Sequence, residues 1–185
     1  MKIFTTFNSG GWDQVRASMA RLADAGPSIM AAMLNEGGEA LREKTVAAET
    51  KQTNLSQGVN ERAQVPTEAS PGRLSFVTTV HGGNVRLKFF GAKESGSGVT
   101  ANPWGRSTFY PGAFINSGFH GKRAPAPKLG GQTYRRVGKS RLPIEQERSG
   151  LFMPDELLKG ATVQAFDSGA PKVLDGILTK LAAMI

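Results

Sequence analysis

Cysteine is absent from the 185-residue chain, which excludes a disulfide scaffold, thiolate metal sites and a cysteine nucleophile. Histidine is nearly absent: only His81 and His120 are available for metal or acid–base chemistry. Aromatic residues make up 8% and hydrophobic residues 39%, a lean supply that still suffices for a core. No apolar run approaches the roughly 18–20 residues of a membrane span. The opening stretch, Met1-Lys2-Ile3-Phe4, also lacks the apolar segment and cleavage site of a signal peptide. These absences predict a chain made and kept in a cytoplasm. Its length suits one domain with a real core.

What the chain has is positive charge. Lys and Arg number 23 against 15 Asp and Glu, a formal charge of +8. The charge is localised. Residues 1–60 carry six residues of each sign, whereas residues 61–150 carry fourteen basic and five acidic residues. Within that block, residues 118–141 hold Lys122, Arg123, Lys128, Arg135, Arg136, Lys139 and Arg141 with no acidic residue. Gly118, Gly121, Pro125, Pro127, Gly130 and Gly131 interrupt them, which argues against a helix or a central strand. A long basic loop over 117–132, running into a short strand, is therefore expected. It is either a solvated excursion or an arm that meets an anionic partner, DNA or an acidic protein face.

Periodicity divides the chain in three. Trp12, Val15, Met19 and Leu22 form one helical face, and Gly26-Pro27 is expected to end that helix and start another. Ile29, Met33, Ala40, Leu41 and Ala48 continue the helical spacing to about Thr50, with a bend expected at Gly37-Gly38. Glu39 can pair with Arg42 on this helix. Only a short helical turn is expected over 57–70. Leu74, Phe76, Thr78 and Val80 then alternate with their neighbours, as do Val85, Leu87 and Phe89 after Gly82-Gly83, the pattern of a β-hairpin. Further strands are expected at 99–102, 107–115 and 132–137. Helical spacing returns with Leu157, Leu158, Ala161 and Ala165, and again with Val173, Leu174, Ile177, Leu178 and Leu181 after Pro171. The expected fold is α+β: an antiparallel β-sheet with a central hairpin, braced by a long N-terminal helix and a C-terminal helix. The single domain divides into a helical part (12–55), a strand-rich part (72–145) and a helical part (154–185).

Catalytic constellations are missing. Neither histidine has a partner at ligand spacing. Gly96-Ser97-Gly98 is a turn rather than a nucleophile elbow, and Gly10-Gly11 and Gly130-Gly131 do not continue into a phosphate-binding loop. Asp155-Glu156 fits charge matched to the start of a helix. No enzyme, metal or cofactor is expected.

A series of short stretches carries more information. Phe89-Phe90-Gly91-Ala92-Lys93 is followed by Gly98-Val99-Thr100-Ala101, Trp104-Gly105-Arg106 and Tyr110-Pro111-Gly112-Ala113-Phe114-Ile115. Tyr134-Arg135-Arg136-Val137-Gly138-Lys139 and Arg141-Leu142-Pro143-Ile144-Glu145 come next. Upstream stand Leu41-Arg42-Glu43-Lys44-Thr45-Val46 and Lys51-Gln52-Thr53-Asn54-Leu55-Ser56. In order and spacing the series resembles the prophage minor tail protein Z family, the tail-completion proteins of lambda-type long-tailed phages. Asn54 stands where that family usually has glycine, and both residues tolerate a left-handed cap. The loop 117–132 and the stretch after Ile144 depart from the family pattern.

The resemblance implies a virion structural protein at the head-proximal end of a phage tail, assembled in the host cytoplasm. Its partners would be copies of itself in a ring, typically six, together with tail-terminator and head-completion proteins. The seven basic residues Lys122 to Arg141 are candidates for contact with channel DNA or with an acidic partner. Trp104, Leu142, Pro143 and Ile144 are candidates for a subunit interface, although core packing is the simpler expectation for Phe89, Phe114, Leu142 and Ile144. The alternative from another class is a basic, non-specific nucleic-acid-binding module, which the charge supports and the scarcity of interleaved aromatics opposes.

Overall fold

The computed structural model describes residues 9–118 and 124–182. Helix α1 (Ser9–Thr53) runs unbroken for 45 residues, roughly 68 Å at the usual rise. The expected break at Gly26-Pro27 does not occur. Pro27 lies inside the helix, where it removes one amide and costs about 3 kcal/mol relative to alanine. Long helical stretches on both sides hold the backbone through that defect. The glycine pair has a different role from the expected bend. A Cβ on Gly37 would lie 2.4 Å from Val173 Cγ1, and one on Gly38 would lie 2.3 Å from Phe76 Cγ. Both glycines allow neighbours to pack directly on the helix backbone.

After Thr53 the chain turns through Asn54, whose φ of 61° is the left-handed cap expected there. Its amide donates to Thr50 O (3.0 Å) and its side chain to Asn102 O (2.9 Å). Helix α2 (Gln57–Ala63) follows, then strand β1 (Gln64–Thr67), which lay inside the stretch read as a short turn. Strands β2 (Val77–Val80) and β3 (Asn84–Arg86) flank Gly82-Gly83, but they do not pair. The hairpin expected there is replaced by two separate antiparallel pairings. β2 pairs with β1, Gln64 opposite Val80. β3 pairs with β12 (Arg148–Phe152), a strand with no counterpart in the sequence reading. A type I′ turn needs positive φ at both central positions, and of the two glycines only Gly82 has it (141°). The chain thus leaves one partner and joins another. Leu87–Phe90, expected to extend the strand, is a 3₁₀ turn closed by Gly91 in the left-handed region.

A true hairpin lies one step downstream, around the Gly96-Ser97 turn. Strands β4 (Lys93–Ser95), β5 (Gly98–Ala101) and β6 (Thr108–Pro111) form an antiparallel meander in that order. The next sheet joins β7 (Ala113–Phe114), β10 (Tyr134–Arg136) and β11 (Ile144–Gln146), with β10 in the middle. The two-residue strands β8 (Asn116–Ser117) and β9 (Ala124–Pro125) pair beside it. β11, which begins directly after Pro143, takes an outer position in its sheet, where proline's missing donor is tolerated.

Two helices close the chain: α3 (Met153–Leu157) and α4 (Gly160–Ala182). Pro171, expected to divide the last segment, lies within α4. α4 packs antiparallel on α1, as Lys180–Glu36, Val173–Gly37 and Thr162–Gln52 contacts occur in that order. The fold is α+β, with a long N-terminal helix, a C-terminal helix packed on it, and small antiparallel sheets formed by the chain that connects them. Its main apolar core holds Leu55, Val85, Leu87, Phe90, Leu151 and Met153, where the end of α1 meets α2 and the β3–β12 pair. Among the described residues, no helix is long and apolar enough to cross a membrane.

Candidate functional site

Strand alternation sorts the basic residues of the β7–β10–β11 sheet onto opposite faces. Tyr134 stands opposite Phe114, and Arg136 opposite Ile144. With a period of two, Phe114, Tyr134, Arg136 and Ile144 share one face, and Arg135 lies on the other. The Phe114 and Tyr134 rings are 6.4 Å apart, and the Arg136 guanidinium lies 5.7 Å from the Phe114 ring centroid. On the other face Arg135 is paired with Glu147 at 2.7 Å.

The face bearing Arg136 is the floor of a groove of about 870 Å³. Its second wall comes from residues 124–129, where two prolines, Pro125 and Pro127, hold an extended segment and a short 3₁₀ turn. Phe114, Leu129, Leu142 and Ile144 supply apolar surface, and Lys128, Arg136 and Arg141 supply the charge. Every charged residue among the described lining residues is positive. Leu142 is 69% exposed, against the expectation of core packing, and Phe89 is exposed as well. Neither lies in a strand: Leu142 precedes β11 and Phe89 belongs to the 3₁₀ turn. Phe114 and Ile144 are partly buried. Pro143 follows a cis peptide bond and its carbonyl accepts from Val137 N (3.2 Å), so it shapes the turn that presents Leu142.

Of the seven basic candidates, the groove thus gathers Lys128, Arg136 and Arg141. Arg135 faces away, Lys139 is exposed on the connecting turn without lining the groove, and Lys122 and Arg123 lie outside the described residues, as does His120. Among the interface candidates Leu142 and Ile144 join the groove. Trp104 does not. It is 38% exposed, in a 3₁₀ turn with its own φ at 52°. Its indole Nε1 donates to Glu156 Oε1 at 3.0 Å.

Glu156 belongs to a second polar assembly that sequence reasoning missed. Read as a charge matched to a helix start, it does lie in the first turn of α3, and it is also buried. Its carboxylate also accepts from Gln52 Nε2 (2.9 Å) and Lys159 Nζ (2.9 Å). Burial works to raise its pKa, but the hydrogen bonds from Lys159, Gln52 and Trp104 outweigh it and hold the carboxyl below its ordinary value. Gln52 Oε1 in turn accepts from Thr162 N and Oγ1 (3.3 and 3.2 Å). One helical turn earlier, Glu49 is fully buried, with Oε2 accepting from Gln64 Nε2 at 2.7 Å. Burial pushes its carboxyl up to about 7; the Gln64 hydrogen bond opposes this, and the charge of Glu156 adds to it. The one available signal was the Lys51-Gln52-Thr53 element, whose Gln52 joins Glu156 to Thr162.

A second cleft, about 590 Å³, lies between α1, α4 and β2 and is lined mainly by apolar residues such as Leu41, Phe76, Phe166 and Val173. Among the described residues, no group of three His, Asp or Glu is placed to hold a metal ion. The basic groove is equipped to bind an anion by charge and shape. Comparison of the chain with protein-family models, with curated proteins and with solved structures finds no match.

Proposed function

We propose that this chain is a structural virion protein of a phage tail, acting at the head-proximal end to complete the tail for joining to the filled head. The observation that carries the reading is the ordered series from Phe89-Phe90-Gly91-Ala92-Lys93 to Arg141-Leu142-Pro143-Ile144-Glu145, with its resemblance to the minor tail protein Z family. In this reading copies of the chain form a ring, typically of six, around the DNA channel. Such a ring repeats one heterologous interface that closes by rotation. Lys128, Arg136 and Arg141 would be repeated around it, facing virion DNA or the acidic face of a terminator or head-completion protein. The long helix and the small sheets suit a rigid unit with exposed edges. The protein works without turnover.

The test is electron microscopy of lysates from a phage with an early stop codon in this gene. Full-length tails and DNA-filled heads should accumulate unjoined, or join into particles that do not infect. Normal infectious particles, or the absence of tails, would exclude the completion role. The second reading, a non-specific nucleic-acid-binding module, is favoured by the formal charge of +8 and a pI near 10.0. Filter binding separates the two, because a binding module must hold DNA at physiological salt as an isolated monomer.

A further inference from the structure

We infer that the groove between the β7–β10–β11 sheet and residues 124–129 receives an extended acidic protein segment in which carboxylates flank an apolar side chain. Charge complementarity sets the first requirement, since Lys128, Arg136 and Arg141 line the groove with no acidic residue among its described walls. Arginine forks bind carboxylates in two-point hydrogen bonds. The floor sets the second requirement. Leu142, exposed at its mouth, and Phe114, Leu129 and Ile144 within it offer apolar surface that a purely ionic ligand leaves in water. The volume lies within the range of about 300–1,000 Å³ typical of clefts that enclose a compact ligand.

The same features disfavour nucleic acid. A duplex is too broad to enter such a cleft and is held by cations on an open surface. A single strand would need a free aromatic face for stacking, and the Phe114 ring already carries the Arg136 guanidinium. Arg135 underlines the selectivity of the arrangement. Adjacent in sequence, it is turned to the other face and neutralised by Glu147. The inference narrows the DNA-or-protein choice within the proposed function, resting on that reading only for the groove being a contact surface. Its test in solution uses no virus, so its failure and the failure of the tail role are separable.

The experiment is fluorescence anisotropy with the full chain and three labelled probes: the peptide Glu-Leu-Glu-Phe-Glu-Leu-Glu, the peptide Glu-Ser-Glu-Ser-Glu-Ser-Glu, and an oligo-dT strand. The first peptide should bind, with the second at least about tenfold weaker, a difference of about 1.4 kcal/mol. Arg136→Glu and Arg141→Glu should each weaken binding of the first peptide by about tenfold or more, while Arg106→Glu, an equal change of charge at an exposed residue outside the groove, leaves it within about twofold. Leu142→Asp should also abolish it, and this exposed residue carries the test if Arg136→Glu fails to fold by circular dichroism. Equal binding of both peptides, equal loss in Arg106→Glu, or no peptide binding at all overturns the inference. Oligo-dT binding that depends on Arg136 and Arg141, without peptide binding, assigns the groove to nucleic acid instead.

Discussion

Two polar regions of this protein contrast sharply. Around Glu156, a buried carboxylate is answered at hydrogen-bond distance by groups from α1, the Trp104 turn and Lys159, and Gln52 carries the network on to the buried Thr162 of α4. Around Arg136, cations from β10, the following turn and the 124–129 segment stand over an open groove with no acidic residue among its described lining. A buried polar group left without a partner is costly, so the first arrangement must complete itself within the chain. An exposed cation remains hydrated and can wait for a partner. The first region therefore holds the fold, and the second is free to bind.

Substitutions that attack each region should break this contrast in opposite ways. Glu156→Ala removes the acceptor shared by Gln52, Trp104 and Lys159. We expect a loss of roughly 3 kcal/mol, because the bonds to the buried carboxylate are lost while Gln52 Nε2 keeps only the Glu156 carbonyl (3.0 Å). Urea denaturation reads this as a lower midpoint, and an unchanged midpoint would remove Glu156 from the framework.

Glu49 sharpens the comparison through pH. Its folded carboxyl lies at about 7 against an ordinary value of 4.5. The folded state thus favours the protonated form, so its contribution is complete below the ordinary value and is lost as pH rises towards 7. Glu156, held below the ordinary value, contributes with the opposite sign and weakens the fold only as pH falls. Thermal melts of the wild type should fall in midpoint between about pH 5 and 8. Glu49→Gln, which cannot ionise, should flatten this trend and gain roughly 2–3 kcal/mol at the alkaline end. Parallel curves for the two proteins would show that Glu49 titrates normally.

Gly38→Ala probes the close approach on α1. Helix propensity alone favours alanine by about 1 kcal/mol. Its Cβ, however, would meet the Phe76 ring at 2.3 Å, and overpacking costs about 1–3 kcal/mol. A net loss of up to roughly 2 kcal/mol is expected, and a stabilised variant would mean that Phe76 can move aside. The smallest effect belongs to the groove. Arg141→Glu and Leu142→Asp should change stability by no more than roughly 0.5 kcal/mol. A larger loss would make the groove part of the folding framework and dissolve the distinction.

Local signals named most elements correctly and several of their limits wrongly. Helical spacing from Trp12 to Thr50 was legible, but Gly26-Pro27 and Pro171 looked like ends because a local rule does not see how much helix stands on either side. Gly37-Gly38 looked like a bend, since nothing local announces Val173 and Phe76 above them. The alternation on both sides of Gly82-Gly83 correctly indicated extended chain. It could not indicate that β3 would pair with a strand more than 60 residues later. In the site, composition revealed the basic stretch, yet only strand register separates Arg136 from Arg135. Glu156 was legible as a helix-start charge and not as a buried acceptor, because its partners come from positions 52, 104 and 159.

The sequence by itself determined the α+β alternation of periods, the concentration of positive charge in 118–141, the lack of thiol chemistry and the left-handed cap at Asn54. These follow from properties that residues carry locally: side-chain period, charge and backbone freedom. The tertiary structure alone decided which strands pair, which glycines are covered, which three of the basic residues converge, and which carboxylates lose their water. Those outcomes depend on contacts between segments far apart in the chain, where desolvation and close packing act only after the fold has brought them together.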